Sequence, residues 1–289
     1  MRGVCLPWRR ILGVGPWQPT APRRIDCRLP ERIFGFKLHR QGFCINDLGR
    51  YFRDNTGNLI HKWHHYFEIY DRHFARFRGQ EVHVLEIGVF QGGSLQMWKQ
   101  YFGPGVHVHG VDINPACKTL EEERVSIHVG DQEDRAFLRA VAASMPRIDI
   151  VIDDGGHTMS QLRCSFEELF PLVDAHGVFL TEDLHTCYWR EFGGAYRAPG
   201  SFIEYSKNLI DQLHGWHSRQ PEQLSVSDFT RSAHSLHYYD SILVIEKRPI
   251  EAPMHSKTGS ARLPPFEPPQ RKTSAQGAAR GLLARVFRR

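Results

Sequence analysis

The sequence predicts an α/β fold, with a doubly wound, mostly parallel sheet that ends in an antiparallel hairpin. Three observations predict it. Short apolar runs alternate with helical segments between residues 82 and 181. The second to fifth runs lead into Asp112, Gly130-Asp131, Asp153-Asp154 and Glu182-Asp183. The last two runs are separated only by Asp240-Ser241, a hairpin turn.

The elements follow in order. Residues 45–79 carry a turn signal at Asn55-Thr56-Gly57, then a helical pattern with Trp63, Phe67, Tyr70 and Phe74 on one face. Strands are expected at 82–87, 106–111, 125–129, 148–152 and 177–181. Helices are expected at 94–101, 115–123, 134–143, 159–172 and 202–213. Strands at 235–239 and 242–247 form the hairpin. Strands alternating with helices need right-handed crossovers and hence a parallel sheet. Residues 1–44 form a Pro- and Arg-rich basic extension, 45–248 one core domain with an N-terminal lid helix, and 249–289 a disordered basic tail. The last nine residues, GLLARVFRR, have the pattern of a short basic amphipathic helix.

Composition narrows the function. The chain has 289 residues and a net charge of +5, and the excess lies mainly in the two ends rather than on a nucleic-acid-binding module. The reading is therefore no nucleic-acid partner. No run is long and apolar enough to span a membrane, and the N-terminus lacks the apolar stretch and cleavage site of a secretory signal. Six scattered cysteines without a CxxC pair read as reduced thiols, which places the chain in the cytoplasm.

The most informative stretch is EVHVLEIGVFQGGS, residues 81–94, an apolar strand running into a Gly-rich turn and a helix. Parallel sheets bind nucleotide-like cofactors at such turns. The stretch lacks the strict GxGxxG of dinucleotide binding, and Glu86 precedes the first glycine, Gly88. A carboxylate there repels a pyrophosphate but accepts a hydrogen bond from an ammonium or hydroxyl. That favours S-adenosylmethionine, which has an amino-acid tail and no phosphate. Asp112, 24 residues past Gly88, is placed to hold ribose hydroxyls. Asp131-Gln132 follows the third strand, where an adenine ring can be bracketed; a helix N-cap by Asp131 explains it equally well.

Strands four and five end in DDGGH, Asp153 to His157, and EDLH, Glu182 to His185. Neighbouring parallel strands place their carboxyl ends side by side, so four carboxylates crowd one rim. Unpaired, they raise one another's pKa. A hard divalent cation, magnesium, resolves the crowding, with Asp154, Glu182 and Asp183 as ligands. His157, three residues past Asp154 near the next helix N-terminus, is the candidate general base. Asp153 and Glu86 add negative charge suited to a sulfonium. Tyr188, Trp189 and Tyr196 are aromatic candidates for stacking on a sugar ring. His61, Lys62, His64 and His65 read as a surface or lid segment rather than a metal site.

Together these residues resemble the class I S-adenosylmethionine-dependent methyltransferases, which have a Rossmann-like fold, and more narrowly the magnesium-dependent sugar O-methyltransferases of the mycinamicin type. The blocks LEIGVFQGGSLQMW, GVDINP, IDDGGHTMSQ, FEELFPLV and TEDLHTCYW carry the resemblance, with KWHHYFEIY before them, over residues 48–247. It implies metal ligation by Asp154, Glu182 and Asp183, and a general base at His157. It implies cofactor contacts from Glu86, Gly88, Ser94, Asp112, Asp131 and Gln132, with Lys62 and Tyr66 closing over the cofactor. Relatives often have Ser where Gly156 stands, and those of macrolide pathways carry a large N-terminal auxiliary domain. The expected activity is methyl transfer to a hydroxyl of a sugar or glycosylated metabolite, by a chain able to form a homo-oligomer. The alternatives are an NAD-type oxidoreductase and a non-catalytic cofactor-binding relative.

Overall fold

A computed structural model describes residues 46–266. The basic extension, the end of the C-terminal tail and its amphipathic segment lie outside the described residues. Seven strands, β1 (Val82–Ile87), β2 (Val106–Asp112), β3 (Val125–Val129), β4 (Ile150–Asp153), β5 (Val178–Thr181), β6 (Ala233–Tyr239) and β7 (Ile242–Lys247), form one sheet in the order β3-β2-β1-β4-β5-β7-β6. The first five are parallel, and β7 pairs antiparallel with both β5 and β6. The expected parallel sheet and terminal hairpin are both present.

Helices cover both faces, so the central strands are buried on both sides. Val82, Val84, Val106, Val108, Ile152 and Leu180 face one core with α1 (Asp47–Asp54), α2 (Tyr66–Phe74) and α3 (Gly93–Phe102). Leu85, Ile87, Val111, Val151 and Phe179 face the other with α4 (Arg135–Ser144), α5 (Met159–Leu169) and α6 (Phe202–Leu213). A short α7 (Asp228–Ser232) precedes the hairpin. Each fully buried large apolar side chain, such as Phe74, Phe102 or Phe179, contributes about 1.5–3 kcal/mol.

Side chains alternate along a strand, and that parity sorts the acidic residues. Glu86 shares its face with Val84, and Glu182 continues the face of Leu180, toward α2. Asp153 shares the face of Val151, toward α5.

The helix ends carry their own signals. Asn46 caps α1, Thr158 and Gln161 form a capping box on α5, and Ser201 and Ser227 cap α6 and α7. Asp134, not Asp131, caps α4. Helix α2 begins at Tyr66, so Trp63 lies before it and is 54% exposed, not on the buried face of the pattern. Residues 61–65 are not helical, and His61 and His65 share no helical face. The helix expected at 115–123 is a 3-10 turn at Pro115–Leu120. Strand β4 starts two residues later than expected, and before it the Asp149 carboxylate accepts from the His83 amide at 2.7 Å. Within the C-terminal tail, residues 251–266 have no helix or strand and are exposed.

Candidate active site

The Gly-rich turn is shaped by close approach of other backbone. At Gly88, φ is +97°, and a Cβ there would stand 1.9 Å from the carbonyl oxygen of Asp154. Only glycine lets the turn after β1 cross the turn after β4. A Cβ at Gly93 would stand 2.5 Å from the carbonyl oxygens of Asn58 and Leu59. Gly93 thereby seats the segment that leads to Lys62. Asp112 closes the turn from the next strand. Its Oδ2 accepts from the amides of Val89 and Phe90, both at 3.0 Å, and its Oδ1 accepts from Asn114 at 2.8 Å. Ser94 donates to Glu86 Oε2 at 3.0 Å, while Glu86 Oε1 makes no hydrogen bond and lies 4.0 Å from Lys62 Nζ. Burial pushes the Glu86 carboxyl up to about 7.

The parity of β4 separates neighbours Asp153 and Asp154. Asp153 is buried on the α5 side. Its Oδ1 accepts from Gln132 Nε2 at 2.7 Å, and Gln132 also donates to Ser165 and accepts from the Gly156 amide. Gln132 and Asp153 thus tie the turn after β3 to the DDGGH turn. Burial pushes Asp153 up to about 7. Asp131 is exposed and accepts from the Glu133 amide.

On the other side lies the acidic rim. Asp154, His157 and Asp183 each offer a ligand atom, and these atoms lie within 4.8 Å of one another. His157 Nε2 is 3.6 Å from both Asp154 Oδ1 and Asp183 Oδ2. His157 and Asp183 sit in the left-handed region, with φ +58° and +54°. Non-glycine residues are uncommon there, and the strain persists only where surrounding structure holds it. The Thr186 hydroxyl accomplishes part of that by donating to the carbonyls of both His157 and Asp183. Burial lowers the His157 pKa against the pull of Asp154 and Asp183.

Glu182 is placed differently from the expected ligand set. It is fully buried, and its Oε1 accepts from the Tyr70 hydroxyl at 2.6 Å. Its Oε2 accepts from Lys62 Nζ at 2.7 Å. Lys62 also donates to Asp154 Oδ2 at 2.5 Å and lies 4.0 Å from Glu86 Oε1. Burial opposes its charge, but the three carboxylates outweigh that and hold its pKa above the ordinary lysine value. Burial and Asp154 push Glu182 well above the usual carboxylate range. Tyr66 donates to Asp183 Oδ1 at 2.7 Å. Lys62 and Tyr66 both stand against the acidic rim. Tyr70 enters the sequence reading only as part of the helical pattern. Its i, i+4 spacing from Tyr66 was the signal that both hydroxyls reach one rim.

The donor set suits a hard divalent cation. Asp154 and Asp183 present carboxylate oxygens toward one point and remain about a quarter exposed, at 22% and 24%. Beside the rim, the His185 ring is paired with Ser241 Oγ and stands edge-on between Trp63 and Trp189, with centroids 5.8 and 4.7 Å away. Trp63, Tyr188, Trp189 and Tyr196 are exposed. A second group, His73, His237 and Glu246, lies at the hairpin. Both ring nitrogens of His73 are taken, by Glu246 at 2.7 Å and by the Tyr239 hydroxyl at 2.9 Å, which anchors α2 to the sheet. Cys117, Cys164 and Cys187 are buried and unpaired, and burial raises each thiol pKa, which leaves them unsuited as nucleophiles. Among the described residues no helix is long and apolar enough to cross a membrane.

Residues 85–184 match the family model described as a methyltransferase domain. The chain is 40% identical over 199 residues to 8-demethyl-8-alpha-L-rhamnosyl tetracenomycin-C 2'-O-methyltransferase of Streptomyces olivaceus, covering 65% of this chain and 52% of that one. It is 37% identical over 208 residues to mycinamicin VI 2''-O-methyltransferase of Micromonospora griseorubida, covering 68% and 51%. Among solved structures, the MycE methyltransferase of the mycinamycin biosynthetic pathway, in complex with Mg and SAH, superposes with a TM-score of 0.62 at 36% identity, covering 66% of this chain and 51% of that one. The chain spans about half the length of these relatives. The sheet order, the Gly-rich turn and these matches agree: the chain carries a class I, Rossmann-like methyltransferase domain, similar over that domain to sugar O-methyltransferases.

Proposed function

We propose that the chain transfers a methyl group from S-adenosylmethionine to a hydroxyl of a glycosylated metabolite, with magnesium at the rim and His157 as general base. The observation that carries this is the convergence of Asp154, His157 and Asp183 at the ends of β4 and β5, beside the Gly-rich turn of β1. The relatives named as O-methyltransferases of a rhamnosyl tetracenomycin-C and of mycinamicin VI support the acceptor class.

When bound, S-adenosylmethionine supplies an electrophilic methyl group, and magnesium lowers the pKa of a sugar hydroxyl. The chain supplies the rest. Asp112 fixes the turn through Val89 and Phe90 and keeps lone pairs for ribose hydroxyls. Asp154 and Asp183 would hold the metal, with Glu182 beside them on Lys62 and Tyr70. His157 takes the proton at Nε2, the atom facing both carboxylates. In doing so it becomes an imidazolium between two carboxylates, which stabilise the charge as it forms. Trp63, His185 and Trp189 form an aromatic edge against which the apolar face of a sugar ring can lie.

Two measurements test this reading. By calorimetry, S-adenosylhomocysteine binds and NAD does not; the reverse result overturns it. With a glycoside acceptor, His157→Gln lowers kcat by about 100- to 10,000-fold, the usual contribution of a positioned base. It also removes the acidic limb of the pH–rate profile. A variant that keeps both the rate and the limb removes His157 from the chemistry.

A further inference from the structure

We propose that Lys62 is a positioning residue for the metal: its ammonium, held by Asp154 and Glu182 beside Glu86, competes with a divalent ion for the charge of those carboxylates. This rests on the metal-assisted reading above and goes beyond it, because it assigns the control of metal affinity to a residue that is not a ligand.

Three observations carry it. First, the Lys62 side chain is 3% exposed and its Nζ donates to two carboxylates from different strands, Asp154 at 2.5 Å and Glu182 at 2.7 Å. A buried ammonium is stable only when paired, and these two carboxylates pair it. Second, Lys62 holds Asp154 by Oδ2 while the other oxygen, Oδ1, faces His157, and it holds Glu182, the chain neighbour of Asp183. An ammonium and a divalent ion on the two oxygens of one carboxylate repel each other. Third, the ammonium has somewhere to go. Glu86 Oε1 is buried, lacks a hydrogen-bond partner and lies 4.0 Å from Nζ. A small shift of the lysine toward β1 satisfies that oxygen and frees the carboxylates of β4 and β5.

The arrangement links the metal to the cofactor half of the site. Lys62 lies at the end of the segment seated on Gly93, and Ser94 of the same helix start bonds the other oxygen of Glu86. A lysine driven onto Glu86 by metal binding changes the charge that the Gly-rich turn presents. Metal and cofactor binding are therefore coupled through one side chain.

The test is metal binding itself, measured without cofactor or acceptor. Mn2+ is titrated into the full chain and into Lys62→Met, with the free ion followed by electron paramagnetic resonance. Lys62→Met is expected to bind about tenfold tighter or more, because the competing charge is gone. Its thermal midpoint should also rise further than that of the unaltered chain when Mg2+ is added. Equal or weaker Mn2+ affinity in Lys62→Met overturns the proposal. Should Lys62→Met fail to fold, the unaltered chain still decides: the 15N resonance of Lys62 Nζ shifts on addition of Mg2+ if the ammonium is displaced, and stays fixed if it is not. Absence of Mn2+ binding by either chain overturns both this proposal and the metal role. Binding of S-adenosylhomocysteine would then still separate that outcome from failure of the methyltransferase reading.

Discussion

Replacement of Tyr70 by Phe isolates one bond in the rim. The Tyr70 hydroxyl is buried and donates at 2.6 Å to Glu182, whose side chain is also buried. The phenyl ring remains, and with it the edge contact to Trp98 at 5.1 Å and the stacking on Phe74 at 5.9 Å. Apolar burial is therefore unchanged, and the variant leaves a buried carboxyl oxygen without its donor, a loss of about 1–3 kcal/mol. At about 2–4 °C per kcal/mol for a domain of this size, the midpoint should fall by about 2–12 °C. Tyr101→Phe is the matched control. Its hydroxyl donates to Asp71 at 2.8 Å, but Asp71 is partly exposed, and water replaces the lost donor. Its midpoint should fall by less. Thermal unfolding of the metal-free chain by calorimetry measures both. A Tyr70→Phe midpoint equal to that of the unaltered chain, or to that of Tyr101→Phe, would refute the view that Glu182 is held by its internal donors.

Gly88→Ala should leave little folded chain, because its Cβ would overlap the Asp154 carbonyl and its φ is +97°; circular dichroism and soluble yield read this, and native-like folding would contradict the close crossing of the two turns. The histidines of the sheet face give a pH prediction. His83 stacks on His107, and His109 stacks on His128 with Nδ1 and Nε2 3.2 Å apart. Burial, then the neighbouring His128, His83 and His107, push His109 down to about 4. The unfolded chain then binds more protons than the folded one between about pH 4 and 6.5, so stability from this group is lost as pH falls through that window. His109→Gln should flatten the dependence of the thermal midpoint on pH there; an unchanged slope sinks the assignment. Trp189→Ala should raise KM for a glycoside acceptor more than it lowers kcat, since the indole borders the rim without reaching its carboxylates; an unchanged KM removes it from the acceptor surface.

The sheet was legible because its signals are local. Apolar runs of strand length, each closed by an acidic residue or glycine, mark β1 to β5, and Asp240-Ser241 marks the hairpin. The rim was legible for the same reason, since Asp153-Asp154 and Glu182-Asp183 end adjacent strands. What stayed hidden depends on contacts far apart in sequence. Lys62 is 92 residues from Asp154 and 120 from Glu182, and no spacing announces their pairing. The alternation of β4 divides Asp153 from Asp154, but which of the two faces α5 is set by packing across the sheet. Trp63 fitted a helical period, but α2 has no side-chain cap at His65 to mark its start. Helix α1 had such a mark in Asn46, whose side chain accepts from the Gly49 amide, but Gly49 inside the helix weakened the pattern.

The central claim is that this rim and this turn make one metal-assisted methyl-transfer site. Its most direct test is transfer of a radiolabelled methyl group from S-adenosylmethionine to a panel of rhamnosyl and other deoxysugar glycosides. The assay is run with magnesium, with EDTA, and with magnesium restored. The account predicts methylated glycoside that disappears with EDTA and returns with magnesium. Methyl transfer at full rate in EDTA would contradict it.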